Sequence, residues 1–108
     1  MAWSDSKGRK WSFNCNTFTL ARVKRETGID MTKSIEQGST VLQDIIGDVG
    51  LFFAVIESLL KDDLKEIDIS IRELGESMSD EDIVLDASRS LIESMLDFSP
   101  RESREVMK

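Results

Sequence analysis

The chain has no histidine and a single cysteine, and both shortages exclude chemistry before any pattern is read. Without histidine, the Ser-His-Asp and Cys-His nucleophile arrangements and the histidine-ligated metal centres are ruled out. Cys15 alone cannot close an internal disulfide, and no positively charged start leads into an apolar signal core, so the expected compartment is reducing and cytoplasmic. The longest apolar run, Leu51 to Ile56, is far short of the roughly 20 residues a membrane helix needs. No glycine-rich phosphate loop of the P-loop or dinucleotide-binding type is present. The one proline, Pro100, marks an element boundary, and there are no internal repeats.

What remains is ordinary for a folded domain. At 108 residues, one domain spanning 1–108 is expected, burying roughly 65% of its unfolded surface without metal or disulfide staples. Hydrophobic residues make up 40% and charged residues 32%, which fits a globular chain. The net charge of −7 conceals a split, +4 over residues 1–33 and −11 over the remainder. A basic end of this kind either approaches an acidic partner or nucleic acid, or complements the acidic half of its own molecule.

Residues 2–16 predict a β-hairpin. Trp11, Phe13 and Cys15 alternate with Lys10, Ser12, Asn14 and Asn16, the period of a strand with one buried face, and Trp3 stands to pair across from them. Asp5-Ser-Lys-Gly8 supplies the turn. Such a hairpin must pack on something else, since two strands alone are marginal in water.

Residues 17–108 predict helices. Thr17 opens one that carries Leu20 and Val23, has Arg22, Lys24 and Arg25 in its last turns, and stops at Gly28. Asp30 starts a short turn through Lys33, and 34–40 is expected as loop. Thr40 with Gln43 resembles a capping box for a helix ending at Gly47. Asp48 caps a central core helix bearing Val49, Phe52, Phe53, Ile56, Leu59 and Leu60 on one face, which Leu51 and Val55 widen. Lys61 to Asp68 returns the chain to water, and Ser70 with Glu73 caps a helix closed by Gly75. Ser79 to Asp82 loads the next helix start with anions, and Ile83, Val84, Ala87, Leu91, Met95 and Phe98 continue its stripe. A final helix begins at about Pro100. The fold class expected is mainly α (α+β), an N-terminal β-hairpin followed by a small bundle of about five to six short helices.

Catalytic, cofactor and metal sites are not expected. Cys15 lies on an apolar face, where a free thiol behaves as a small hydrophobe. Asp62, Asp63, Glu66 and Asp68 lack the alternating acids and central glycine of a calcium loop. The candidate for nucleic acid is the basic patch Arg9, Lys10, Arg22, Lys24 and Arg25 beside two tryptophans, opposed by the acidic total charge.

The order of signals resembles a family. Gly8-Arg-Lys-Trp11 in a hairpin, Leu20-x-x-Val23 with Thr27-Gly-Ile-Asp30, an apolar helix, Ile69-Ser with Leu74, then Ala87 and Met95-Leu-Asp-Phe-Ser-Pro100 look like the small tail assembly chaperones of tailed phages and prophages. Leu74 stands where such proteins often carry an aromatic, and Ser88, Ser90 and Ser94 replace a more alanine-rich C-terminal helix. The resemblance implies a non-enzymatic protein in the bacterial cytoplasm that holds the helical tape-measure protein during tail morphogenesis. A binding wall made of Leu51, Val55, Met78 and Met95 is the expectation that follows, with no cofactor and no membrane partner. An exposed apolar stripe would serve a homo-oligomer equally. The alternative is a small helical nucleic-acid-associated or regulatory protein using the basic N-terminal third.

Overall fold

The computed structural model describes the backbone of residues 2–36 and 38–107, with side chains described throughout that range except at 35 and 99–107. Two short strands, β1 (Ala2–Ser4) and β2 (Lys10–Ser12), form an antiparallel hairpin, followed by six α-helices and a 3-10 helix at Met31–Ile35. The helices are α1 (Thr17–Thr27), α2 (Val41–Ile46), α3 (Val49–Leu59), α4 (Lys61–Glu66), α5 (Ile71–Ser77) and α6 (Glu81–Met107). The mainly helical class with an N-terminal hairpin is therefore present as expected.

The hairpin register places Trp3 directly opposite Trp11. Their ring centroids lie 6.3 Å apart with planes 29° from parallel, and Phe13 approaches Trp3 at 5.9 Å. All three are buried, and β1 packs against α6. The expected strand through Asn16 is shorter: β1 offers partners only from Ala2 to Ser4, so the ladder ends at Ser12. Asp5 holds the turn together. Its carboxylate accepts the backbone N–H groups of Lys7 and Arg9 at 2.9 and 3.1 Å, Arg9 Nε at 2.8 Å and Trp11 Nε1 at 3.0 Å. Burial pushes this carboxyl up, but those hydrogen bonds, Trp11 and Arg9 foremost, outweigh it and hold Asp5 at about 2. Ser6 N–H donates to the Ser77 carbonyl at 3.0 Å, which ties the hairpin turn to the end of α5.

Asn16, rather than Thr17, caps α1: its side chain accepts from Thr19 N–H while Thr19 Oγ1 accepts from Asn16 N–H. Threonine at the third helical position completes the reciprocal pair, so the start shifts back by one residue. Gly28 ends α1 in the left-handed conformation at φ 79°, as expected. Gly75 has no such backbone and does not stop α5, which continues to Ser77. The 3-10 helix takes in residues 34 and 35, where loop was expected, with Ser34 Oγ donating to the Met31 carbonyl. Thr40 makes no capping bond and donates to Asp44 instead. Asp48 does cap α3, through Gly50 and Leu51 N–H.

One hydrophobic cluster runs from Trp3 to Met95, with α3 at its centre packed on α1 and α2. Val49 departs from the expected stripe and is 74% exposed, because it occupies the first turn of α3. The first six residues of 61–68 form α4 rather than a plain exit to solvent, since Leu64 turns into the core. No break occurs before Pro100: the backbone of 96–99 stays helical and α6 passes through without a new start. Ser88, Ser90 and Ser94 are buried on α6, and Ser88 and Ser94 donate to the carbonyls four residues back. Satisfied in this way, Ser88 and Ser94 act as small residues that let the helix sit close to its neighbours.

Candidate functional site

The charges expected as one basic patch are dispersed by the fold. Arg22 is buried between α1 and α3, with Nε donating to the Ser58 carbonyl at 3.1 Å and Nη1 to Asp62 at 3.1 Å. A guanidinium there satisfies a carbonyl that would otherwise lack a partner, so Arg22 serves the core rather than a surface. Arg9 is engaged by Asp5, and Lys24 lies 3.7 Å from Asp30. Asp30 is itself held below the usual carboxylate range, first by Thr32 Oγ1. Lys10 and Arg25 are exposed, on β2 and α1 respectively.

The expected apolar wall is corrected in a similar way. Val55, Met78 and Met95 are at most 1% exposed, while Leu51 alone of the four reaches solvent, at 37%. Burial follows from position: Val55 faces inward on α3, Met78 closes α5, and Met95 lies on the inner face of α6.

What the surface offers instead is a cleft bounded by α1, α3, α4 and the start of α5, of about 650 Å³. Ala54, Leu64, Ile69 and Ile71 supply apolar lining, and Glu57, Lys61 and Lys65 add charge. At one edge Glu26 accepts from Ser58 Oγ at 2.7 Å and from Lys61 Nζ. The Lys61 and Ser58 hydrogen bonds, in that order, hold Glu26 below the usual carboxylate range. This crosslink joins α1 to α3 and α4 at the edge of the cleft. The lining mixes apolar walls with a rim of both signs, which suits an amphipathic polypeptide segment.

A second feature was not singled out by sequence reasoning. Leu85, Ile92 and Leu96 on α6 are 47%, 37% and 58% exposed, although the same helix buries Ala87, Leu91 and Met95. The signal was present in the spacing of 85, 89, 92 and 96, a four-three-four step that sits beside the inner stripe.

Cys15 is half-buried, and desolvation pushes its thiol up to about 11, the opposite of an activated nucleophile. Among the described residues no group of three or more Cys, Asp or Glu side chains is placed to hold a metal ion, and no helix is long and apolar enough to cross a membrane. No family model, curated protein or solved structure matches the chain.

Proposed function

We propose that this chain is a non-enzymatic assembly factor that receives a helical segment of another protein, as the small tail assembly chaperones of tailed phages and prophages do for the tape-measure protein. The observation that carries the reading is the cleft between α1, α3, α4 and α5: about 650 Å³, apolar along Ala54, Leu64, Ile69 and Ile71, with charge at its rim. Such a surface gives an amphipathic helix somewhere to lay its apolar stripe. On this proposal, which takes its client class from the sequence resemblance, the partner is a long helix-rich tail protein and the work is done in the bacterial cytoplasm. The net charge of −7 keeps the carrier soluble while it holds an aggregation-prone client.

The test is a tagged pull-down from cells that express the surrounding phage or prophage genes, washed at moderate salt, with retained proteins identified by mass spectrometry. Recovery of one long helical tail protein, abolished by Ala54→Glu in the cleft, supports the reading. Recovery of nucleic acid, or of the chain alone, refutes it. Ala54 is only partly buried, and circular dichroism of the variant confirms that its fold persists.

A further inference from the structure

We propose that the outward face of α6 is a docking surface for a basic amphipathic helix, one with an apolar stripe and lysines or arginines along one flank. At about 100° per residue, Leu85, Arg89, Ile92 and Leu96 fall within an arc of roughly 60°. Three of these four are apolar and well exposed. The spacing is that of a coiled-coil seam, in which a second helix lays its own a and d residues over the first.

The charges beside the stripe determine what covers it. Along one edge of the stripe lie Asp82, Asp86, Glu93 and Asp97, all exposed. The opposite edge passes through Ser88 and Met95 into the core. Arg89 is the single cation among residues 81–98, and its Nη1 lies 3.9 Å from Asp86 of its own helix. Laid antiparallel on this face, a second copy would bring Asp86 near the other copy's Glu93; laid parallel, it would set Asp86 against the other copy's Glu81. Like charges at these flanking positions oppose pairing, whereas a helix with a basic flank neutralises the acids as its apolar stripe covers Leu85, Ile92 and Leu96. The inference goes beyond the assembly-factor reading, because this face of α6 shares no residue with the cleft that carries that reading.

The experiment uses the full chain and two synthetic 21-residue helical peptides with leucine at a and d. One carries lysine along a single flank, and its twin carries glutamate at the same positions. Binding is read by fluorescence anisotropy at low salt. The lysine peptide is expected to bind at least tenfold more tightly than the glutamate peptide and to weaken as salt is raised. The double variant Ile92→Ser, Leu96→Ser should lose at least tenfold, and Asp86→Lys with Glu93→Lys should reverse the preference between peptides. Both variants change exposed side chains, and circular dichroism checks that they fold. Equal binding of the two peptides, or binding indifferent to the serine variant, overturns the proposal. So does a dimer of the unmodified chain that the serine variant converts to monomer, since the face would then belong to a second copy. Because the probes are synthetic, their failure leaves the pull-down and its Ala54→Glu control standing on their own.

Discussion

Replacing Asp5 with asparagine tests the account of the hairpin most directly. The carboxylate side chain is fully enclosed and accepts four hydrogen bonds, two from backbone N–H groups and two from Arg9 and Trp11 side chains. An asparagine retains one acceptor oxygen, so its amide group must face at least one donor with a donor. The magnitude follows from titration. Asp5 sits at about 2 in the folded protein against an ordinary value of 3.8, and at about 1.4 kcal/mol per pH unit this preference for the charged form contributes about 2.5 kcal/mol. Both folded and unfolded chains are ionised at pH 7, so the full contribution is present there. The folded value is depressed, and the stabilisation is therefore kept above pH 3.8 and lost as pH falls through about 2. Urea unfolding followed by tryptophan fluorescence should place Asp5→Asn about 2–3 kcal/mol below the unmodified chain at pH 7, equivalent to a fall in Tm of about 10 °C for a domain of this size. The gap should shrink steadily between pH 4 and pH 2. A gap under about 0.5 kcal/mol at pH 7, the size of an ordinary surface substitution, or one that does not change with pH, refutes the reasoning.

Arg22→Ala should cost about 2–3 kcal/mol, because it strips the Ser58 carbonyl of a donor and removes buried packing, whereas Asp62→Ala should cost under about 0.5 kcal/mol since that carboxylate is 80% exposed. Equal losses in urea titrations of the two variants would contradict the assignment of Arg22 to the core. Gly28→Ala, forced to keep φ at 79°, should destabilise by about 1 kcal/mol in the same assay, and a neutral result would show that α1 can end another way. At pH 8 the Cys15 thiol at about 11, against 9.0 without burial, should react with iodoacetamide about a hundredfold more slowly in the native protein than in urea; equal rates would remove the basis for calling it inert.

The parts of this fold that local chemistry dictates were legible in the sequence. The alternation around Trp11 with Trp3 opposite, the stop at Gly28 and the cap at Asp48 each depend on residues within a few positions of one another. Gly28 and Gly75 show where that logic ends, because a glycine stops a helix only when the surrounding chain draws it into the left-handed region, and Gly75 is not drawn there. Arg22 shows the same limit for charge: nothing near it in sequence says that its partner will be a carbonyl at position 58. The cleft draws its lining from four elements, so Ala54, Ile69 and Ile71 carry no mark of it in isolation. Three of the four residues expected to bind a partner were buried instead, because methionine and valine fill a core as readily as they line a groove.

Trp3 and Trp11 belong to a hairpin, and β1 packs against α6, which begins only at residue 81. During synthesis at about 5–20 residues per second, the strand therefore waits on the order of 4–16 seconds for the helix that shields it. Throughout that interval β1, which carries Trp3, lacks part of its cover and is open to wrong contacts. The high charge density of the segments made in between, with acids at 62, 63, 66 and 68, lowers that risk by keeping the unfinished chain hydrated. Helix α6 thus acts as a latch on β1, and a ribosome stalled before residue 81 would display the β1 surface that α6 conceals.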